Sequence, residues 1–446
     1  MPHSRLRGGA AMVMALAAAL AVPASANPSE GEAQAEEPAT ADATRAVREV
    51  RDAITANYVL TDRIPAITAA LDEGLASGRY AGLSGRALAE RLNQDLTAAA
   101  HDKHLSIQFD PAHASIMKGP MGDEVNEGPE WERMARSMNH GVAELRMMDG
   151  NVRYLNLLGF AWTGESSARV LDNAVGFLGQ GDAVVIDLRY NGGGSPKAIE
   201  YLFSHFVDPG KPLMTFYMGG GKEPQQHDAI AELPAGRLLG KPLYVLTSRM
   251  SISAAEAFAA LVKDYQVGEI VGETTAGAAY RNSFFPIAGQ YLLSVSVGRG
   301  EVGPSKLDWE GAGIAPTIAA DAGNALDAAH LSALRKRALQ APPPDKTMME
   351  AKATMLAAKI NPVPAAHPLA AYIGQYGDRA ITVEGEALFS QRRNGPKTRL
   401  LPLGADAFIM ETDPMTRVEY AVLDGRASAI EVIRADGSRQ KHARVD

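Results

Sequence analysis

Three serines stand within six positions in VLTSRMSISAAEAFAALVKDYQ, Val245 to Gln266, just ahead of an apolar helical pattern. A serine hydroxyl becomes a nucleophile when a neighbouring base takes its proton, and a helix N-terminus favours the anionic oxygen that results. Ser253 stands at such a corner. The apolar run PLYVLTS ends at Ser248, and Phe258, Leu261, Val262 and Tyr265 mark one helical face beyond it. The same residues also spell a capping box, Ser253-Ala254-Ala255-Glu256, in which the serine would satisfy an orphan N–H and the glutamate would reach back. Both readings fit these residues taken alone.

A second segment, VVIDLRYNGGGSPKAIEYLF, ends a buried strand pattern in Asn191 and three glycines before Ser195-Pro196 opens a helix. Bare backbone N–H groups beside a helix N-terminus can hold an anion or an oxyanion that develops during a reaction. The turn lacks the Lys-Ser/Thr of a phosphate loop, and its glycines also suit a tight turn that needs positive φ. A base must come from elsewhere. His205, His227, His330 and His367 lie in a helix end, a polar loop, a distal helix and a linker. HDKHLSIQFDP instead clusters His101, Asp102 and His104 where a helical region passes into an extended one. A neutral histidine is the usual partner of a serine nucleophile, and a surface histidine beside charges is the alternative.

The elements that must position these groups follow from periodicity. Between Thr44 and Ala100 apolar residues recur at helical spacing, as in Val47, Val50, Ile54 and Leu88, Leu92, Leu96. From Gly150 onward, short β-branched runs (VRYLNLLGF, DAVVIDLRY, PLYVLTS, GEIVGETT and YLLSVSVG) alternate with helical patterns, which predicts an α/β core with a largely parallel sheet. Such sheets carry chemistry at the carboxyl ends of their strands. Past NPVPAAHP, short alternating runs between Gly and Asp turns predict a small C-terminal antiparallel β domain. The expected division is 1–26 signal peptide, 27–43 flexible leader, 44–110 helical N-terminal domain, 128–320 α/β core, 321–368 helices and linker, and 369–446 β domain.

Composition bounds the function. Of 446 residues, 46% are hydrophobic and 22% charged, which permits packed cores, and a net charge of −8 without a dense basic run argues against nucleic-acid binding. Arg5 and Arg7 precede an apolar run and Ala24-Ser25-Ala26, the pattern of a secretory signal. With no cysteine in the chain, disulfides and lipidated cysteine are excluded. The expectation is a periplasmic or secreted protein with no stable membrane span after signal cleavage.

Taken in order, DKHL, DLRYNGGG, TS with SISAAEAFAALVKDY, GETTAGAA and WEGAGIAPT resemble one family of serine peptidases. It includes the tail-specific (C-terminal processing) peptidases, tricorn protease and the interphotoreceptor retinoid-binding proteins. The resemblance spans roughly Thr44 to Pro316 and implies a crotonase-like or ClpP-like core. It selects Ser253, three residues before the helix glutamate, as nucleophile. It implies an oxyanion hole from the amides of Ala254 and Gly193, with Gly192 and Gly194 as weaker candidates.

The tail-specific branch uses a lysine base, and Ala278 occupies its place. That leaves the histidine-using, retinoid-binding-protein-like branch, whose histidine matches His104 and whose distant glutamate matches Glu310. Lys103 stands where tricorn-like members carry a serine, so Ser106 or a water would link His104 to Glu310. No stretch between Phe109 and Gly150 is long enough for an inserted peptide-binding module.

The implied function is an exported serine-type peptidase acting through an acyl-enzyme on peptide or protein substrates, with no metal and no cofactor. Two alternatives share the site: a non-catalytic binding module for an apolar ligand, and an esterase or transpeptidase.

Overall fold

The computed structural model describes residues 40–102, 104–117 and 129–445. The expected signal peptide, the leader up to residue 39 and Lys103 lie outside the described residues. Helices α1 (Thr40–Asn57), α2 (Ile64–Ala76) and α3 (Gly85–Ala100) form the N-terminal layer. Strand β1 (Ser106–Phe109) and short helices α4 (Pro111–Ile116) and α5 (Pro129–Ser137) lead into the core.

The core alternates β2 (Val142–Met148), β3 (Val152–Leu157), α6 (Glu165–Gly179), β4 (Ala183–Asp187), α7 (Pro196–Ser204), β5 (Pro212–Met218), β6 (Gln225–Asp228), β7 (Leu243–Thr247), α8 (Ala254–Asp264) and β8 (Glu269–Gly272). The hairpin β9 (Tyr280–Ile287) and β10 (Tyr291–Val302) and the short β11 (Ile318–Ala319) complete it.

The principal sheet has the order β11-β8-β7-β4-β3-β2, parallel except for the edge strand β2. Crossover helices force this arrangement, because each must return the chain to the same sheet edge. Strands β4 and β7 are buried along their whole length and lie at the centre. Helices α6, α7 and α8 cover one face with Leu171, Leu202, Phe203 and Phe258. The other face packs Val152, Val185 and Leu246 against Ala325, Ala329 and Ala333 of α9 (Ala325–Ala338).

One expected core strand belongs elsewhere. YLLSVSVG is part of β10, which lies in a second, antiparallel sheet with β9 along one edge and β1 then β5 along the other. Both faces of this stretch are buried, so its composition is that of an interior parallel strand. The face bearing Leu293, Val295 and Val297 packs against Val47, Ile54 and Leu92 of the N-terminal helices. That layer is thereby fixed to the core beside His104.

Helix α10 (Pro343–Ile360) carries the chain to eight strands: β12 (Gly374–Tyr376), β13 (Arg379–Glu384), β14 (Ala387–Arg392), β15 (Lys397–Pro402), β16 (Ala407–Met410), β17 (Thr416–Leu423), β18 (Arg426–Arg434) and β19 (Arg439–Ala443). They pair in sequence order as an antiparallel meander. A bridge between Tyr376 and Arg444, with Val445 N–H donating to Gln375 O at 2.9 Å, joins the first strand to the end of the last and closes a barrel. Leu401 and Ile409 on its outer face seat it against Met349, Ala353 and Leu356 of α10. Among the described residues no helix is long and apolar enough to cross a membrane.

Leu293 is fully buried between the N-terminal helices and β10. Leu293→Ala is expected to lower stability by about 2–5 kcal/mol, because the layers cannot collapse onto the cavity it leaves. Guanidinium unfolding of both proteins measures the difference.

Candidate active site

Strands β4 and β7 run side by side with Asp187 opposite Leu246, so the loops that follow them emerge together. The first loop is braced by Asp187, which accepts from the Tyr154 hydroxyl at 2.7 Å and pairs with Arg189 at 2.6 Å. Two of the three serines are spent on joining the loops. The Ser248 hydroxyl donates to Arg189 O, and the Ser251 hydroxyl donates to Leu188 O at 2.7 Å while accepting from Ser248 N–H at 2.9 Å. Ile252 N–H adds a bond to Asn191 O at 3.1 Å.

Ser253 has a different part. It is the N-cap of α8 with φ 56° and ψ −113°, a left-handed backbone that a residue with a side chain rarely adopts. Such strain persists only where surroundings impose it, and it clusters at functional sites. Here the restraint is Glu256, fully buried and one turn along the helix. One carboxylate oxygen accepts from Ser253 N–H and Ala278 N–H, both at 2.9 Å. The other accepts from the Thr275 hydroxyl at 2.6 Å and Gly277 N–H at 2.7 Å. The glutamate half of the capping box is therefore made, and the same carboxylate also holds the 275–278 loop.

The glycine turn packs directly on the serine. Gly193 has φ 99°, and a methyl group added there would lie 2.9 Å from Ser253 Cβ and 3.3 Å from Ala254 N, so only glycine fits. Gly193 N–H donates to the buried Asn191 Oδ1 at 2.9 Å, and Asn191 Nδ2 donates to Leu157 O at 2.8 Å. Among the described residues the amides of Ala254 and Gly194 have no acceptor. One open donor thus directly follows Ser253 and another belongs to the glycine turn, while a third, on Gly193, is held by a side-chain amide.

His104 arrives from the other sheet. Its Nδ1 lies 3.1 Å from Asp102 Oδ1 and 3.5 Å from Glu310 Oε1. Asp102 is the better held acid: its oxygens also accept from His104 N–H at 2.8 Å, the Ser296 hydroxyl at 2.8 Å and the Tyr58 hydroxyl at 2.9 Å. Burial alone would raise its carboxyl, but the bonds from His104, Ser296 and Tyr58 outweigh burial and hold its pKa at about 2. Glu310 accepts from Ala279 N–H at 2.7 Å and Tyr280 N–H at 3.3 Å, yet burial raises its pKa, with Asp102 adding to the rise. Burial also works against protonated His104, while the Asp102 bond and then the Glu310 charge more than compensate and raise its pKa. An Nδ1–H bound to Asp102 leaves Nε2 as the basic nitrogen.

Ser253, His104 and Glu310 therefore gather around one loop. Glu256, tied to Ser253, takes the amide of Ala278, and Glu310, beside His104, takes the amide of Ala279. Among the described residues no hydrogen bond joins Ser253 to His104, and none joins Ser106 to His104 or Glu310; Ser106 pairs with Ser294 in the antiparallel sheet. Asp102 and Asn191 are site residues to which the sequence assigns no role, and Glu256, expected there only to cap the helix, also holds the 275–278 loop. The HDKH cluster was a signal for the first, since an acid two residues before a candidate base can turn back onto its ring.

Residues 151–320 match the family described as Peptidase family S41, and residues 40–138 match the N-terminal domain of Peptidase_S41 in eukaryotic IRBP. The carboxy-terminal processing protease CtpA of Bacillus subtilis (strain 168) is 31% identical over 134 residues, which is 29% of this chain and 27% of that protein's length. Among solved structures, the photosystem II D1 C-terminal processing protease is similar at TM-score 0.43 and 16% identity, covering 63% of this chain and 93% of that one. Mature CPAF is similar at TM-score 0.45 and 12% identity, covering 72% and 98%.

All four partners of the Glu256 carboxylate are donors, so a glutamine there must turn its NH2 toward at least one backbone N–H. Glu256→Gln is expected to destabilise by about 1–3 kcal/mol for each donor left unpaired. Thermal unfolding checks this, and unchanged stability would remove Glu256 from the role given to it.

Proposed function

We propose that this chain, which belongs to peptidase family S41 through residues 151–320, is a serine-type peptidase whose base is His104 and whose orienting acid is Asp102. Ser253 Oγ attacks the carbonyl carbon of a peptide bond while His104 Nε2 takes its proton. The resulting oxyanion is held by the N–H of Ala254 and by Gly193 N–H, which exchanges the Asn191 amide oxygen for the oxyanion. His104 returns the proton to the departing amine, and a water deprotonated by the same nitrogen releases the acyl group.

The observation that carries this reading is the setting of Ser253. It is strained at a helix N-terminus beside open amides, on the same loop framework that brings up a histidine bound to a buried carboxylate. The missing Ser253–His104 bond fits a resting site, since such contacts are often long before substrate binds. Asp102 orients the ring and balances the imidazolium that forms. Glu310 adds a second negative field at the same nitrogen. The chain is also proposed to act after export, on the strength of the Arg5/Arg7, apolar and Ala-Ser-Ala pattern at its start.

A fluorophosphonate probe tests the nucleophile. Wild type is expected to gain one phosphonyl group, Ser253→Ala none, and Ser251→Ala to retain labelling. Labelling that survives Ser253→Ala would overturn the assignment, and an unlabelled wild type would favour the non-catalytic binding module.

Acidity follows with a definite sign. The base works only when neutral, so peptide hydrolysis should rise with pH through an apparent pKa above the ordinary 6.5 of histidine. Asp102→Asn removes the charge-assisted hydrogen bond that does most to raise it, and leaves the Glu310 charge in place. The acid limb should then move to lower pH, and kcat should fall by on the order of a hundredfold from loss of ring alignment. A kcat/KM profile of both proteins checks the shift, and an unmoved limb would exclude Asp102 as the orienting acid.

A further inference from the structure

The C-terminal barrel contains polar groups that its own hydrogen bonding leaves unfinished. Arg379 begins β13 and alternates with Ile381 and Val383 on the interior face. Its Nη1 donates to the buried Ser390 Oγ at 2.7 Å. Among the described residues no carboxylate forms an ion pair with it. The two acids whose fields reach it are engaged elsewhere: Asp378 with Arg392 Nε at 2.8 Å and Arg393 Nε at 3.3 Å, and Asp413 with the Thr416 hydroxyl at 2.6 Å. Burial first, and then the Arg392 charge, depress its pKa, as befits a cation without a counter-ion.

Tyr420 of β17 faces the same interior. It is 6% exposed, its ring packs against Tyr372, Tyr376 and Phe408 at centroid distances of 4.8, 5.9 and 5.5 Å, and among the described residues its hydroxyl has no hydrogen-bond partner. Arg379 is the cross-strand partner of Tyr376, whose ring packs on Tyr420, so the two groups share one patch of the interior; burial drives the Tyr420 pKa far upward while the Arg379 charge opposes the rise. A buried hydroxyl left without a partner costs about 1–3 kcal/mol.

What this cluster lacks is an acceptor. The guanidinium has donors to spare, the Tyr420 hydroxyl can donate, and Ser390 Oγ, having accepted from Arg379, still has its own proton to give. A carboxylate supplies several lone pairs, a charge that matches arginine and a shape that suits its fork. An eight-stranded barrel is wide enough to be filled by side chains or to hold one small ligand. Arg379 is only partly buried, so the residue is not sealed within the barrel.

We propose that Arg379, Tyr420 and Ser390 form a carboxylate-binding site in the C-terminal barrel. The carboxylate belongs either to a free small acid or to the end of a peptide chain, and the chemistry of recognition is the same for both. The site is independent of the peptidase reading, because the barrel contributes none of the residues around Ser253.

Titration of the full chain, carrying Ser253→Ala so that peptides are not consumed, tests the site by calorimetry and thermal unfolding at constant ionic strength. Sodium acetate is expected to bind and to raise the unfolding temperature where sodium chloride does not. Arg379→Met should weaken binding roughly tenfold or more, as loss of a charge-assisted bond implies. Tyr420→Phe removes only a hydroxyl and keeps the packing, so it should weaken acetate binding in a folded protein even if Arg379→Met fails to fold.

A short peptide with a free C-terminus is compared with its C-terminal amide. Arg379-dependent binding of the acid form alone identifies a chain end as ligand, and acetate binding without peptide binding identifies a free acid. Equal shifts with acetate and chloride, or acetate binding unchanged in Tyr420→Phe, would overturn the proposal.

Discussion

One buried carboxylate holds the candidate site together. Glu256 gathers four donors from two segments: the backbone of Ser253 on one side, and on the other the Thr275 side chain with the amides of Gly277 and Ala278. A carboxylate without a cation is tolerable in the interior only when its lone pairs are satisfied, and these four bonds satisfy them. The result is a rigid joint between the helix that presents the serine and the loop that leads to β9. Thr275 extends the joint by accepting from Ile314 N–H at 2.7 Å, close to Glu310 in the chain. Ser253 can keep an unfavourable backbone because its N–H is fixed from one turn ahead.

The histidine depends on a different layer. Asp102 is anchored by Tyr58 at the end of α1 and by Ser296 in β10, so the ring position follows from how the N-terminal helices pack on the antiparallel sheet. Two acids face one ring nitrogen, and their environments differ. Asp102 is shielded from solvent and surrounded by donors, which favours its charge, while Glu310 has two amides and a raised pKa. A nitrogen with one proton makes one good bond, and the shorter contact goes to the better stabilised carboxylate. The serine and its base are thus held by separate devices that meet at the 275–280 loop.

Local chemistry made some of this legible from sequence alone. A strand end, a serine-bearing turn and a glutamate at the third helical position within nine residues make Ser253 a candidate, and the family resemblance is what sets it above the helix-cap reading. The alternating runs after Pro368 announce antiparallel strands for the same local reason. Long-range pairings were not legible. Tyr58 and Ser296 lie 44 and 194 residues from Asp102, and nothing in HDKH says that they converge on it. The run YLLSVSVG gives no sign of its sheet, because burial on both faces removes the alternation that marks an antiparallel strand. Barrel closure rests on Gln375, Tyr376, Arg444 and Val445, whose pairing depends on the curvature of six intervening strands.

The measurement that bears most directly on this arrangement is a crystal structure of the phosphonylated protein. Expected are phosphorus on Ser253 Oγ, a phosphonyl oxygen within about 3 Å of Ala254 N and Gly193 N, and His104 Nε2 turned toward Ser253 with Nδ1 still on Asp102. An oxygen directed to solvent with Gly193 still bonded to Asn191, or a His104 ring that leaves Asp102, would contradict it.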